Sequence, residues 1–188
     1  MATPNIVSKE KIMVAATKMV QDHGYGGLNF RDLAEAVGIK AASIYHHFPS
    51  KADLAAAVAT KYWRDSASEL ETISSALDPL SCLKKYPGTF RRALQNNNRI
   101  CLASFLAAER ADIPEKVLTE VYKFADVNIA WLTQMLKANG SADKTCEPRA
   151  RAIFAAIAGA QMIARSRADV AIYDSIVADY QASGFLPS

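Results

Sequence analysis

The run Asn29-Phe30-Arg31-Asp32-Leu33-Ala34-Glu35-Ala36-Val37-Gly38-Ile39-Lys40-Ala41-Ala42-Ser43-Ile44-Tyr45-His46-His47-Phe48 decides the fold of this chain. Asn29 can cap a helix, Asp32 falls in its first turn near the positive end, and Leu33, Ala34 and Val37 form a buried side. Gly38 supplies the break. Ala41, Ile44 and Phe48 then recur at helical spacing until Pro49 stops the chain. Ala34, Gly38 and Ile44 stand where a helix-turn-helix needs a small residue at the helix contact, a turn glycine able to take a positive φ, and an aliphatic anchor. Turning 100° per residue from Ile44 directs Ala42, Ser43, Tyr45 and His46 away from the core, where a major groove could receive them.

Upstream, Ile12, Ala15, Ala16, Met19 and Val20 form the stripe of a first helix, with Ser8 as its expected N-cap, Val7 and Ile12 as a staple and Gly24 as its end. Downstream, Ser50-Lys51-Ala52-Asp53 reads as a capping box for a longer helix. Asp78-Pro79, Ile113-Pro114 and Pro148 are expected to open further helices, Asn96-Asn97-Asn98 and Asn139-Gly140 to end them, and Pro87-Gly88 to kink or break one. No alternating strand pattern of useful length occurs, so the class expected is all-α, with a helix-turn-helix domain over 1–49 and a helical bundle over 50–188.

Composition narrows function by exclusion. Of 188 residues, 51% are apolar and 22% charged, enough to build a core and too hydrophobic for a disordered chain. Net charge is only +3, and residues 1–61 carry seven basic against five acidic side chains, so any nucleic-acid role rests on placed groups rather than bulk charge. Cys82, Cys101 and Cys146 are odd in number and far apart, and Met1 to Glu10 is polar, which points to reduced thiols and a cytoplasmic location. The apolar stretch 152–164 is short of the roughly 20 residues a bilayer helix needs, and no membrane partner is expected. All three histidines, His23, His46 and His47, lie in the first 47 residues, away from the cysteines; no metal site, cofactor or thiol-based catalysis is indicated, and the chain is not read as an enzyme.

Gly24-Tyr25 and the segment from Asn29 to Leu54, with its Tyr45-x-His47-Phe48-x-Ser50-Lys51 run, resemble the N-terminal domain of TetR-type transcriptional repressors. The resemblance covers about a third of the chain. It implies a homodimer that binds a palindromic double-stranded DNA operator, with recognition helices about 34 Å apart, and releases it on binding an effector. Lys40 stands where the family more often has a capping Thr or Ser. Lys51 at the start of its helix suits a phosphate, and Asn29, Arg31, Tyr45 and His47 suit backbone contacts. Base reading falls to Lys40, Ala42, Ser43 and His46, a set without the Arg, Asn or Gln of bidentate readout. Packing is an alternative for Tyr45 and His47, and solvated charge for the lysines.

In the remainder, Arg99 to Glu109 resembles the branch of this family that represses electrophile-detoxifying enzymes. If Asn98 caps that helix, Cys101 lies in the first turn, where a thiolate is favoured and an electrophile or oxidant could modify it. Plain packing is the competing reading. Phe90, Phe105, Tyr122, Trp131 and Met135 could line an apolar effector cavity or be ordinary core. Small residues from Ala152 to Ala160, with Ile153, Phe154 and Ile157, and Tyr173, Ile176 and Tyr180 resemble the family's dimerisation bundle. The alternative function is a helical small-molecule-binding protein without DNA binding.

Overall fold

The structure is a computed structural model that describes residues 4–187, with side chains from Lys9 onward. Among the described residues there are nine helices and no strand, so the chain is all-α. Helix α1 spans Pro4–Gly27, α2 Phe30–Val37, α3 Ala41–His47, α4 Lys51–Ala76, α5 Pro79–Gln95, α6 Leu102–Ala108, α7 Glu115–Ala138, α8 Asp143–Arg167 and α9 Val170–Ala182.

Most expected stop and start signals operate as written. Asn29 Oδ1 accepts the Asp32 N–H at 2.9 Å, and Gly38 closes α2 at φ 74°, the left-handed conformation that costs glycine least. Asp78 accepts from Ser81 at 3.0 Å with Pro79 in the first turn, and Asn97 and Asn98 turn the chain after α5 with φ of 58° and 55°.

Three expectations need correction, and one is met only in part. Helix α1 begins at Pro4 and is already running at Ser8, so Ser8 is not its cap; the side chains of Val7 and Ser8, and with them the staple, lie outside the described residues. Gly24 does end the regular helix, with the non-helical φ 68° and ψ −168°, but beyond this break a short helical piece runs on to Gly27. Pro87 interrupts one N–H bond, yet α5 runs through it as one helix because Leu83, Tyr86, Pro87 and Phe90 are buried together. Helix α8 starts five residues before Pro148, and Cys146 is fully buried on it.

By contacts the chain divides into two compact units. The first holds 1–63 and 102–123, and residue 49 lies inside it. Its core is Ile12, Ala16, Val20, Leu28, Leu33, Ile44, Leu54, Val58, Leu102, Leu106 and Val117, each buried, and α6 packs on α1. Three of the five residues in the α1 stripe, Ile12, Ala16 and Val20, have no exposed surface, while Ala15 and Met19 are half-buried at its edge. Each buried Leu or Ile stabilises this unit by about 1.5–3 kcal/mol, which lets helices as short as α2 and α3 persist.

The second unit holds 64–101 and 124–188. Its core joins Leu70, Leu132, Leu136, Ile153 and Ile157 to the aromatic group Tyr86, Phe90, Phe124, Trp131 and Phe154. Two buried hydroxyls find partners there: Tyr86 donates to Asn128 Oδ1 at 3.0 Å, and Tyr173 donates to the Pro87 carbonyl at 2.7 Å. Burial drives both phenols well above the ordinary value of 10. A raised folded-state pKa contributes stability that is complete below pH 10 and is lost as pH rises through it. Phenolate absorbance should therefore show two of the seven tyrosines silent until alkaline unfolding, and Tyr86→Phe with Tyr173→Phe should flatten the loss of stability above pH 10. Titration of all seven tyrosines in the folded chain would contradict this.

Candidate nucleic-acid interface

The three helices α1, α2 and α3 pack on one another, with Ile44 fully buried as the anchor of α3. Opposite that anchor Ala42, Ser43, Tyr45 and His46 are all exposed, and so are Asn29, Arg31 and Lys40 at the ends of α2 and α3. Lys40 occupies the N-cap of α3, makes no side-chain cap bond and is exposed. Each of these seven side chains is therefore accessible to solvent.

Tyr45 is 56% exposed, so it is not a buried core side chain. Its ring leans edge-on against Phe30 at 4.6 Å and leaves the rest to solvent. His47 is half-buried, its ring 5.5 Å from that of His46 and 6.4 Å from that of Phe48.

The start of α4 is built as its sequence suggests. Ser50 Oγ accepts the Asp53 N–H at 3.1 Å and donates to the Asp53 carboxylate at 2.6 Å. Lys51 follows at the first helical position. Its ammonium donates to the Gly26 carbonyl at 3.1 Å and lies 4.5 Å from the centre of the Tyr25 ring. Asp53 is paired at 2.6 Å with Lys116 from the start of α7; hydrogen bonds from Lys116 and Ser50 hold its carboxyl below the usual range.

Spacing of apolar residues carried no hint of Glu109. Its carboxylate accepts the Tyr25 N–H at 2.6 Å across 84 residues of sequence, directly at the bend of α1. Nor did it single out Gln161, which is fully buried and bridges two backbone groups: Nε2 donates to the Phe90 carbonyl at 2.7 Å, and Oε1 accepts the Cys101 N–H at 2.9 Å. A Gln in a run of small apolar residues was the available signal.

The candidates of the second region separate. Helix α6 starts at Leu102, so Cys101 precedes the helix instead of standing in its first turn, and Asn98 does not cap it but donates to the Arg165 carbonyl at 3.0 Å. Cys101 is 2% exposed. Both premises of an activated, accessible thiol are thereby corrected, because two left-handed asparagines turn the chain before the helix begins and carry the thiol inward. Phe90, Trp131 and Met135 are buried in the second unit, whereas Phe105 is half-buried in the first and Tyr122 is exposed there, its hydroxyl bonded to Arg110. Those five do not line one cavity within either unit. An open cleft of about 700 Å³ runs along α7 and α8, between Ile129, Ala130, Gln134 and Lys137 on one side and Glu147 and Arg151 on the other.

Ile153, Ile157 and Tyr173 are at most 1% exposed in the single chain and have no surface to give a second copy. Phe154, Ile176 and Tyr180 are half-buried. Projection at 100° per residue puts Ala152, Ala155, Met162 and Ile163 on the outer side of α8, the last two about half exposed, with Ala171 and Ala178 outward on α9. Ile153, Ile157 and Tyr173 are thereby corrected to the inner face of these helices, which spacing does not separate from the equally apolar outer one.

A family model described as bacterial regulatory proteins, tetR family, matches residues 12–58, which are the helices that carry this surface. A solved TetR transcriptional regulator from Legionella pneumophila superposes with a TM-score of 0.88 at 27% identity, covering 97% of this chain and 98% of that one. Residues 12–58 are thus a TetR-family DNA-binding domain. Another TetR-family regulator, from Agrobacterium tumefaciens, gives a TM-score of 0.84 at 27% identity, over 92% of this chain and 94% of that one. Among curated relatives, the HTH-type transcriptional repressor AcnR of Corynebacterium efficiens is 37% identical over 67 residues, 36% of this chain and 34% of that protein. The match to such curated relatives spans about a third of their length or less.

No helix of the described residues is long and apolar enough to cross a membrane, and no cluster of three or more metal-ligating side chains occurs among them.

Proposed function

We propose that this chain is a cytoplasmic transcriptional repressor of the TetR type that binds a palindromic DNA operator as a homodimer and is released by a small-molecule effector. One observation carries the reading: the outward row Ala42, Ser43, Tyr45 and His46 on α3, backed by buried Ile44 and flanked by Lys40, Arg31 and Lys51. Phosphate contacts by Asn29, Arg31, Tyr45, His47 and Lys51 set position, and Lys40, Ala42, Ser43 and His46 read the groove. DNA reading is assigned to roughly the first fifty residues, effector binding and dimerisation to the rest.

The apolar outer strip on α8 and α9 supports pairing with a second copy through a face of small residues. For the effector, a noncovalent ligand is favoured over modification of Cys101 by the burial of that thiol. The indole N–H of Trp131 supports it further: buried without an acceptor beside the Tyr86 ring, it is a donor that a ligand could satisfy.

The decisive experiment is selection from a random duplex pool, followed by titration of the enriched sequence at several salt concentrations. A two-fold symmetric site with half-sites about one helical turn apart is expected. Failure to enrich any duplex would leave the alternative, a helical ligand-binding protein.

A further inference from the structure

The bend of α1 at Gly24 sits where three features converge. Gly24 is buried and takes φ 68° and ψ −168°, a conformation open to glycine alone, and a Cβ there would overlap the Glu109 carboxylate. The next residue, Tyr25, donates its N–H to Glu109 at 2.6 Å. One residue later, the Gly26 carbonyl receives the Lys51 ammonium at 3.1 Å. The turn is therefore gripped from two sides, by a carboxylate on its N–H and by an ammonium on its C=O.

Glu109 itself is not on a free arm. It lies in the turn that follows α6, where its N–H donates to the Leu106 carbonyl at 3.1 Å and its carbonyl accepts from Asp112 at 2.8 Å. Helix α6 packs on α1, and Lys116 on the same segment pairs with Asp53 two residues beyond Lys51. Burial against the turn pulls the Lys51 ammonium below the ordinary lysine value, and the Glu109 charge opposes that pull. An apolar contact between helices tolerates a small slide. A charge-assisted hydrogen bond to one backbone N–H is short and directional and is lost within about an ångström of displacement.

We propose that Glu109 is a positioning residue for operator binding: by holding the Tyr25 N–H it fixes the Gly24–Gly27 turn, which in turn places the Lys51 ammonium on the DNA-facing side. Glu109 touches no DNA. The inference rests on the DNA-binding reading above and adds the 102–123 segment to the apparatus that presents the phosphate-binding lysine.

The test compares wild type, Glu109→Gln and Glu109→Ala by amide hydrogen exchange and by titration of the selected duplex. Glutamine keeps an acceptor and the side-chain shape; alanine removes both. In Glu109→Ala the Tyr25 amide should exchange at least tenfold faster while amides of α5 and α8 are unchanged, and duplex affinity should fall about tenfold. Glutamine should recover most of each loss. The slope of log affinity against log salt should stay at the wild-type value, since no phosphate contact is removed.

Unchanged Tyr25 exchange in Glu109→Ala would overturn the proposal whether or not DNA is bound. Equal tightening of DNA binding by both substitutions would overturn it too, showing Glu109 to be only a repulsive charge. If wild type enriches no duplex, the DNA-binding reading fails and the operator role of Glu109 falls with it. Altered exchange in that setting would still establish the contact itself. Should Glu109→Ala unfold, seen as faster exchange throughout, Glu109→Gln alone decides: near-normal Tyr25 protection and affinity support the proposal, and loss of both with a folded core refutes it.

Discussion

Lys51→Ala is expected to weaken operator binding by about a hundredfold at moderate salt and to make the affinity less salt-dependent. A dimer presents this lysine twice, and loss of about 1.4 kcal/mol at each copy gives a factor of ten squared. Each phosphate contact contributes close to 0.9 to the slope of log affinity against log salt, so two lost contacts should reduce it by about 1.8. The helix start adds unpaired N–H groups to the same anion site, which is why a cation otherwise misplaced at the positive end of α4 is useful there. The free chain meanwhile keeps Lys51 on the Gly26 carbonyl, an exchangeable partner that a phosphate oxygen can replace. Lys51→Arg should retain most of the affinity and the slope. A slope unchanged in Lys51→Ala would show that this residue only anchors the turn. The contrast with Glu109→Ala, where affinity falls at constant slope, separates a group that meets phosphate from one that holds it in place.

Gln161→Leu is expected to lower the unfolding free energy by about 3 kcal/mol, seen as a fall in Tm of roughly 6–12 °C for a chain of this length. Leucine fills much the same space, so little of this comes from a cavity. The cost arises from the buried Cys101 N–H, which loses its Oε1 acceptor, and from loss of the second bond to the Phe90 carbonyl. Leaving one buried donor unmet costs about 1–3 kcal/mol, and the net worth of the bridging bonds adds about one more. Denaturant titration with an unchanged m-value checks the prediction. A loss below 1 kcal/mol would mean that water or another acceptor reaches the Cys101 N–H.

The helix-turn-helix was legible in the sequence because every constraint on it is local. Asn29 caps three residues ahead, Gly38 turns at the point where a left-handed residue is needed, and Ile44 alone faces inward while its neighbours face out. Such patterns act within one or two helical turns, so spacing reveals them. The same reasoning located the all-α class, the Asp78-Pro79 start of α5 and the Asn-rich end of that helix.

It misplaced whatever depends on which apolar face meets which neighbour. Helices α8 and α9 are apolar on both sides, and periodicity cannot say that Ile153, Ile157 and Tyr173 turn inward while Met162 and Ile163 stay outside. Cys101 was placed one turn too deep because the left-handed backbone at Asn97 and Asn98 delays the start of α6, a choice made by the packing around Gln161 and Arg165. The pairing of Glu109 with Tyr25 joins residues 84 positions apart, and nothing in the spacing of either residue implies the other.

The sequence by itself therefore determined a TetR-type helix-turn-helix and the residues that it turns outward, since helix caps, turns and outward faces are properties of short segments. Only the tertiary structure decided that the 102–123 segment belongs with those helices, that a carboxylate grips the bend of α1, and that the candidate sensor thiol is buried. Those are outcomes of long-range packing and of the need to pair every buried polar group, and they exist only once the chain has closed on itself.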